Sequence, residues 1–298
     1  MTNNIHMITL KSGHKIWTRA SQQGSIPVLL LHGGPGSTHE YLECFEKFLP
    51  QHGYQVIFYD QLGSYRSDKP QDKSLWTLER FTEEIEEVRQ GLGLDKIFLF
   101  GFSWGGMLSI EYALKYPEHL LGMITSGMTA SMADYEERMA NLRHKLPAEV
   151  QEKIRHFEQT HDIKNPEYKK LVHEWIYQKN YCRLDPWPAS LPQSFDHCNR
   201  EIYTYMWGNN DFCVEGTLKT WNRWDELNQL SMPILLMGGE HDVIDPHDLR
   251  CMAQGIKDAE VFISQIGSHF AFYEDQENYF KALIGFLDKT MRKQAAGK

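Results

Sequence analysis

The sequence predicts an α/β fold, a doubly wound and mostly parallel sheet with an inserted helical cap. Three observations carry this. Continuous apolar runs recur in both end portions of the 298-residue chain, as expected of strands buried on both faces of a parallel sheet. Segments of helical spacing separate them, and such βαβα alternation implies right-handed crossovers. Between residues 128 and 228 the rhythm changes to charged helical segments with no buried strand. The core is therefore assigned to residues 1–127 and 229–298, and the cap to 128–228.

In order along the chain, residues 5–10 and 15–20 read as a hairpin around the turn pair Ser12-Gly13. Residues 27–31 are a buried strand ending in the glycine-rich loop His32-Gly33-Gly34-Pro35-Gly36. Neither G-x-x-x-x-G-K-[ST] nor G-x-G-x-x-G occurs there, which argues against nucleotide binding. A helix is expected over 39–52, a strand over 55–59, and a helix over 77–91 with Thr77 as its N-cap. Residues 98–102 form a strand, a helical pattern starts near Met107, and 120–125 form the next strand. In the cap, helices are expected over 135–146, 149–161 and 167–181, with Trp175, Trp187, Trp207, Trp221 and Trp224 favouring an aromatic-walled cavity. The sheet resumes at 233–239; a helix over 246–255, a strand over 260–264 and a closing helix over 275–291 follow.

Composition narrows the partners. Hydrophobic content of 41% and charged content of 24% suit a globular chain with a sizeable core. A net charge of −9 argues against nucleic acid, because no excess of Lys and Arg is available to neutralise phosphates. Cys44, Cys182, Cys198, Cys213 and Cys251 are scattered, with no C-x-x-C pair, so neither a disulfide framework nor a thiolate zinc site is expected. Reduced thiols suit a cytoplasmic location. The first residues carry no basic and apolar signal pattern, and no run of about 18 apolar residues exists to span a membrane.

The stretch Gly101-Phe102-Ser103-Trp104-Gly105 fits G-x-S-x-G between a strand and a helix, the nucleophile elbow of the α/β-hydrolases. Glycine is needed where a sharp turn packs backbone against backbone. A serine hydroxyl needs a neighbouring base to attack at neutral pH, and His, oriented by a carboxylate, suits that transfer. The chain order in this fold is Ser, then an acid, then His. Asp242 follows the penultimate strand and His269 the last, so both converge on Ser103 at one sheet edge. Glu240 and Asp245 are rival acids; Asp242 is favoured by its place at the loop apex. The oxyanion hole falls to the N–H groups of Gly34 and Trp104. His32 reads as a hydrogen-bonded residue shaping its loop.

Three segments, His32-Gly33-Gly34-Pro35-Gly36, Tyr59-Asp60-Gln61 and Gly101-Phe102-Ser103-Trp104-Gly105-Gly106, together resemble the proline iminopeptidases and tricorn-interacting aminopeptidases of serine peptidase family S33. The likeness extends to Asn165-Pro166-Glu167-Tyr168 and Asp185-Pro186-Trp187-Pro188 in the cap. It implies removal of an N-terminal residue, often proline, from short peptides or aminoacyl amides, with no metal or cofactor. It also implies an acidic residue for the substrate ammonium. Asn210-Asp211-Phe212 matches the family's Asn-Glu-Phe segment with the shorter Asp, and Val243 stands where those relatives carry a second Glu. Glu215 and Asp245 are the candidates to replace it. Tyr65 departs from the family's usual Gly. An amino acid amidase or carboxylesterase on the same triad is the alternative, and an inactive hydrolase-fold binding protein a further one.

Overall fold

The turn at Gly13 joins β1 (Asn4–Thr9) to β2 (Lys15–Ala20), an antiparallel pair that opens an eight-stranded sheet. The computed structural model describes residues 4–212 and 214–296; Met1-Thr2-Asn3, Cys213 and the last two residues of the tail lie outside them. The other strands are β3 (Ile26–Leu31), β4 (Tyr54–Tyr59), β5 (Ile97–Phe102), β6 (Leu120–Ser126), β7 (Ile234–Gly239) and β8 (Ala259–Ser264). Their order is β1-β2-β4-β3-β5-β6-β7-β8, and every pair from β4 to β8 is parallel.

The absence of polar alternation in the strands has a direct cause. Leu29, Leu31, Ile57, Leu99 and Leu236 join one apolar cluster, whereas Leu30, Phe58, Phe98, Phe100 and Leu235 join another on the opposite face. The period-2 side-chain rule therefore sends successive residues into two separate cores. One face is covered by α1 (Leu78–Gly91), α2 (Trp104–Lys115) and α8 (Pro246–Gly255). The other is covered by the 3-10 turns at Glu40–Lys47 and by α10 (Gln276–Ala296), which follows the single turn α9 (Ala271–Glu274). Thr77 caps α1, its Oγ1 accepting the Arg80 N–H at 3.2 Å.

Three local expectations change. Residues 39–52 form 3-10 turns, Glu40–Lys47 and Pro50–His52, rather than an α-helix; Pro50 has no N–H to continue one. The segment expected as one helix over 167–181 starts as α5 (Pro166–Val172) and widens into a π-helix over His173–Tyr181. The closing helix runs to Ala296, past the expected 291.

Between β6 and β7 lie α3 (Met132–His144), α4 (Ala148–Gln159), α5, the π-helix, α6 (Ser190–His197) and α7 (Arg200–Met206). Ser131 caps α3 and Asn199 caps α7 through their side-chain oxygens. This helical layer is tied to the loops at the strands' C-terminal ends. The His269 N–H donates to the Asn180 carbonyl at 3.0 Å, the Phe270 N–H to Tyr181 at 2.8 Å, and the Asn199 N–H to Gly36 at 2.8 Å.

Candidate active site

Ser103 occupies the tight turn from β5 to α2 with φ 53° and ψ −120°, a conformation that L-residues with a side chain rarely adopt and that costs of order 1–3 kcal/mol. The glycines around it make the turn possible. A Cβ on Gly101 would lie 2.1 Å from the Gly105 carbonyl oxygen, and one on Gly105 would lie 2.2 Å from that of Leu31. The Ser103 N–H donates to the Ser126 carbonyl at 2.8 Å, and the Ser103 carbonyl accepts the Gly106 N–H at 2.7 Å.

The loops after β7 and β8 bring Asp242 and His269 together. Asp242 Oδ1 lies 2.8 Å from His269 Nδ1 and also accepts the Ile244 N–H at 3.0 Å. Both side chains are buried. Donation of Nδ1–H to Asp242 leaves the His269 Nε2 lone pair free to take a proton. Asp242 Oδ2 is buried without a partner among the described residues. Close packing holds the imidazole as well, since a Cβ on Gly127 would come within 2.9 Å of its ring. Arg138 fixes the acid loop from the helical layer, donating to the Asp242 carbonyl from Nη2 at 3.0 Å and meeting Asp245 Oδ2 at 3.1 Å.

The glycine-rich loop after β3 closes the other side. Gly33 N–H donates to the buried Tyr41 hydroxyl at 2.5 Å, and a Cβ on Gly33 would lie 3.2 Å from Ser103 Cβ. Gly34 lines the same cavity as Ser103 and His269. Trp104 is the first residue of α2, a position whose N–H has no acceptor within the helix. Its indole donates to Gln61 Oε1 at 2.8 Å; Gln61 Nε2 donates to the His32 carbonyl, and Gln61 N–H to His32 Nε2, both at 3.0 Å. The three short motifs thus meet in one buried network beneath the elbow. Within it, burial pulls the His32 imidazole down to about 4, so it stays neutral while accepting from Gln61.

The cavity over Ser103 has a volume of about 150 Å³, the size of space that takes a benzene-sized ring. Its lining includes Asp211 with Tyr135, Tyr177, Tyr203 and Trp207. The Tyr203 hydroxyl donates to Asp211 Oδ1, the Tyr177 hydroxyl to Oδ2, and the Tyr135 hydroxyl to the Asp211 carbonyl. Burial, reinforced by the Asp211 charge, pushes the Tyr177 and Tyr203 hydroxyls well above their ordinary range, so both remain donors. Asp211 is the one carboxylate among the described residues lining this cavity.

The other expectations separate here. Glu215 is exposed and does not line the cavity; its neighbour Val214 is the buried one, and the Glu215 N–H is taken by the Trp207 carbonyl at 2.9 Å. Asp245 caps α8 by accepting the His247 N–H at 2.9 Å and pairs with Arg138. Glu240 is exposed. Val243 and Ile244 present an apolar wall instead of a second anion. Sequence reasoning missed Tyr41, Arg138, Asn180 and Arg200, none of which belongs to a short motif; the clustering of tyrosines in the cap was the available hint. No group of three or more His, Cys, Asp or Glu side chains placed to hold a metal occurs among the described residues.

The chain belongs to the α/β-hydrolase fold family, whose model matches residues 26–276. Within that family it falls among the proline iminopeptidases. It is 39% identical over 278 residues to the proline iminopeptidase of Flavobacterium johnsoniae, covering 92% of this chain and 94% of that protein. It is 36% identical to that of Saccharolobus solfataricus, covering 88% and 85%. Among solved structures it is similar to VinJ (TM-score 0.91, 31% identity, 96% and 98% covered). The proline iminopeptidase of Mycobacterium smegmatis is also similar (TM-score 0.88, 29% identity, 96% and 98% covered).

Proposed function

We propose that this protein is a prolyl aminopeptidase, a serine exopeptidase that releases an N-terminal proline or other small apolar residue from short peptides or aminoacyl amides. The observation that carries the reading is the shared cavity. Ser103, His269 and a lone carboxylate, Asp211, line one space sized for a single ring. Ser103 Oγ attacks the carbonyl of the first residue while His269 Nε2 takes its proton. Asp242 stabilises the resulting imidazolium. The N–H groups of Gly34 and Trp104 receive the oxyanion. His269 then protonates the leaving amine, and a water activated by the same nitrogen clears the acyl-enzyme. Asp211 holds the substrate ammonium by a charge-assisted hydrogen bond. Residues 128–228 act as a cap over the site that restricts cleavage to the chain terminus.

The relatives named above support the activity, and the 2.8 Å contact between His269 and Asp242 supports the proton relay. Cys44, Cys182, Cys198 and Cys251 are all free thiols, which supports a cytoplasmic location. No helix among the described residues is long and apolar enough to cross a membrane.

A fluorophosphonate should label Ser103, and Ser103→Ala should lose both the label and about a thousandfold or more of H-Pro-arylamide turnover. Asp211→Asn should lower kcat/KM for the same substrate by about tenfold or more. Equal cleavage of an N-acetylated proline arylamide by the wild type would replace this reading with an amidase or esterase on the same site.

A further inference from the structure

The cavity over Ser103 does not end at Asp211. A second cavity of about 800 Å³ lies within the helical layer, and Tyr177, Phe195, Arg200 and Asp211 border both. Its remaining wall includes Lys164, Lys169 and His173, with Asp211 the one carboxylate among its described lining residues. That is a cationic vestibule on a chain of net charge −9. Neighbouring lysines are neutralised locally: Lys170 lies 3.7 Å from Glu174, and Lys153 lies 3.1 Å from Glu167. Lys164, Lys169 and Arg200 form no ion pair with any described residue.

Arg200 stands at the junction. Its backbone is anchored beside the glycine-rich loop through Asn199, whose N–H donates to Gly36 at 2.8 Å and whose Nδ2 donates to the Gly63 carbonyl at 2.9 Å. The guanidinium carbon lies 5.7 Å from the centre of the Tyr203 ring, and the Tyr203 hydroxyl is the donor to Asp211 Oδ1. A cation and an anion are thus held one tyrosine ring apart without neutralising each other, in a wall shared with Ser103. An unblocked dipeptide carries its ammonium and carboxylate about two residues apart, roughly 7 Å at ~3.3–3.6 Å per residue. Guanidinium is the side chain best shaped for a carboxylate.

We propose that Arg200 is a specificity-determining residue that receives the free carboxylate of the substrate, so that the preferred substrates are unblocked dipeptides. This rests on the exopeptidase reading, with Asp211 on the ammonium. Lys164 and Lys169 add a positive field that draws the anionic end toward the site.

The test compares H-Pro-Ala-OH with H-Pro-Ala-NH2 on the wild type, scoring released proline. The free acid is expected to have about tenfold higher kcat/KM, carried mainly by KM, and the advantage should shrink as NaCl is raised. Arg200→Gln should bring the ratio of the two substrates close to one, and Arg200→Lys should keep part of it. A wild-type ratio near one, or a ratio unchanged in Arg200→Gln, overturns the assignment while leaving the exopeptidase reading intact. Should Arg200→Gln fail to fold, the wild-type ratio and its salt dependence still decide. Cleavage of neither peptide sinks the exopeptidase reading and this inference with it.

Discussion

His32 shows how one buried side chain couples the site to pH. Burial lowers its pKa from 6.5 to about 4, while the unfolded chain titrates near the unperturbed value. Below about 6.5 the unfolded state therefore binds more protons, and stability falls as pH drops toward 4. At about 1.4 kcal/mol per pKa unit the loss is about 3 kcal/mol. His39 has the opposite sign: burial opposes its charge, but the hydrogen bond to Asp60 and the nearby Glu43 carboxylate raise its pKa overall. Its contribution is present in acid and lost as pH rises through the raised value. Denaturant midpoints from pH 7 to 4 should fall more steeply for wild type than for His32→Gln. Parallel curves would show that His32 takes up no proton on unfolding. The sequence placed His32 in a shaped loop, but the bond to Gln61 depends on strands 29 residues apart meeting.

At the level of elements, the elbow was legible because its constraints are local. G-x-S-x-G, an apolar run before it and helical spacing after it are all contained within one stretch of chain. The glycines are there for contact distances, which makes a paired prediction possible. Gly101→Ala should cost upwards of about 3 kcal/mol and lower kcat, because its Cβ would sit 2.1 Å from a backbone oxygen. Gly285, inside α10, has nothing within 4 Å of an added Cβ, so Gly285→Ala should stabilise by about 0.4–1 kcal/mol. Chemical denaturation of the two variants checks both; equal effects would mean that packing at the elbow is looser than described. The π-helix was not legible in the same way. Its widened turn, with the Cys182 N–H reaching Tyr177 at 3.0 Å, lies where Asn180 and Tyr181 accept from His269 and Phe270. That geometry answers to a loop almost ninety residues onward, not to the helix's own spacing.

Across the whole molecule, the sheet and the helical layer share one apolar core. Met139, Tyr168, Ile202 and Phe212 belong to the same buried cluster as Leu31, Leu99 and Leu236. Because neither layer has a separate hydrophobic core on that face, they should unfold together. Calorimetry should show one transition whose van't Hoff and calorimetric enthalpies agree. Two resolved transitions would mean that residues 128–228 fold as an independent unit. The same sharing explains why the chemistry of the helical layer follows its docking: Asp211 meets Tyr177 and Tyr203 because the π-helix and α7 each bring a tyrosine hydroxyl to the one carboxylate.

The sequence by itself determined the sheet, the strand-to-helix turn that carries Ser103, and the loops that carry Asp242 and His269. Continuous apolar runs, a five-residue turn motif and loops following named strands are properties of neighbouring residues, and local sterics enforce them. Tertiary structure alone decided which acidic residues reach the cavity. Asp211 matches a family segment, with Glu215 and Asp245 as candidates for a second acid, yet of the three only Asp211 lines the cavity with Ser103; Glu215 is exposed, and Asp245 is taken by Arg138 and the start of α8. A side chain's direction in the cap depends on how several helices pack against one another. That packing is a sum of many weak, non-directional contacts, and no short stretch of sequence carries it.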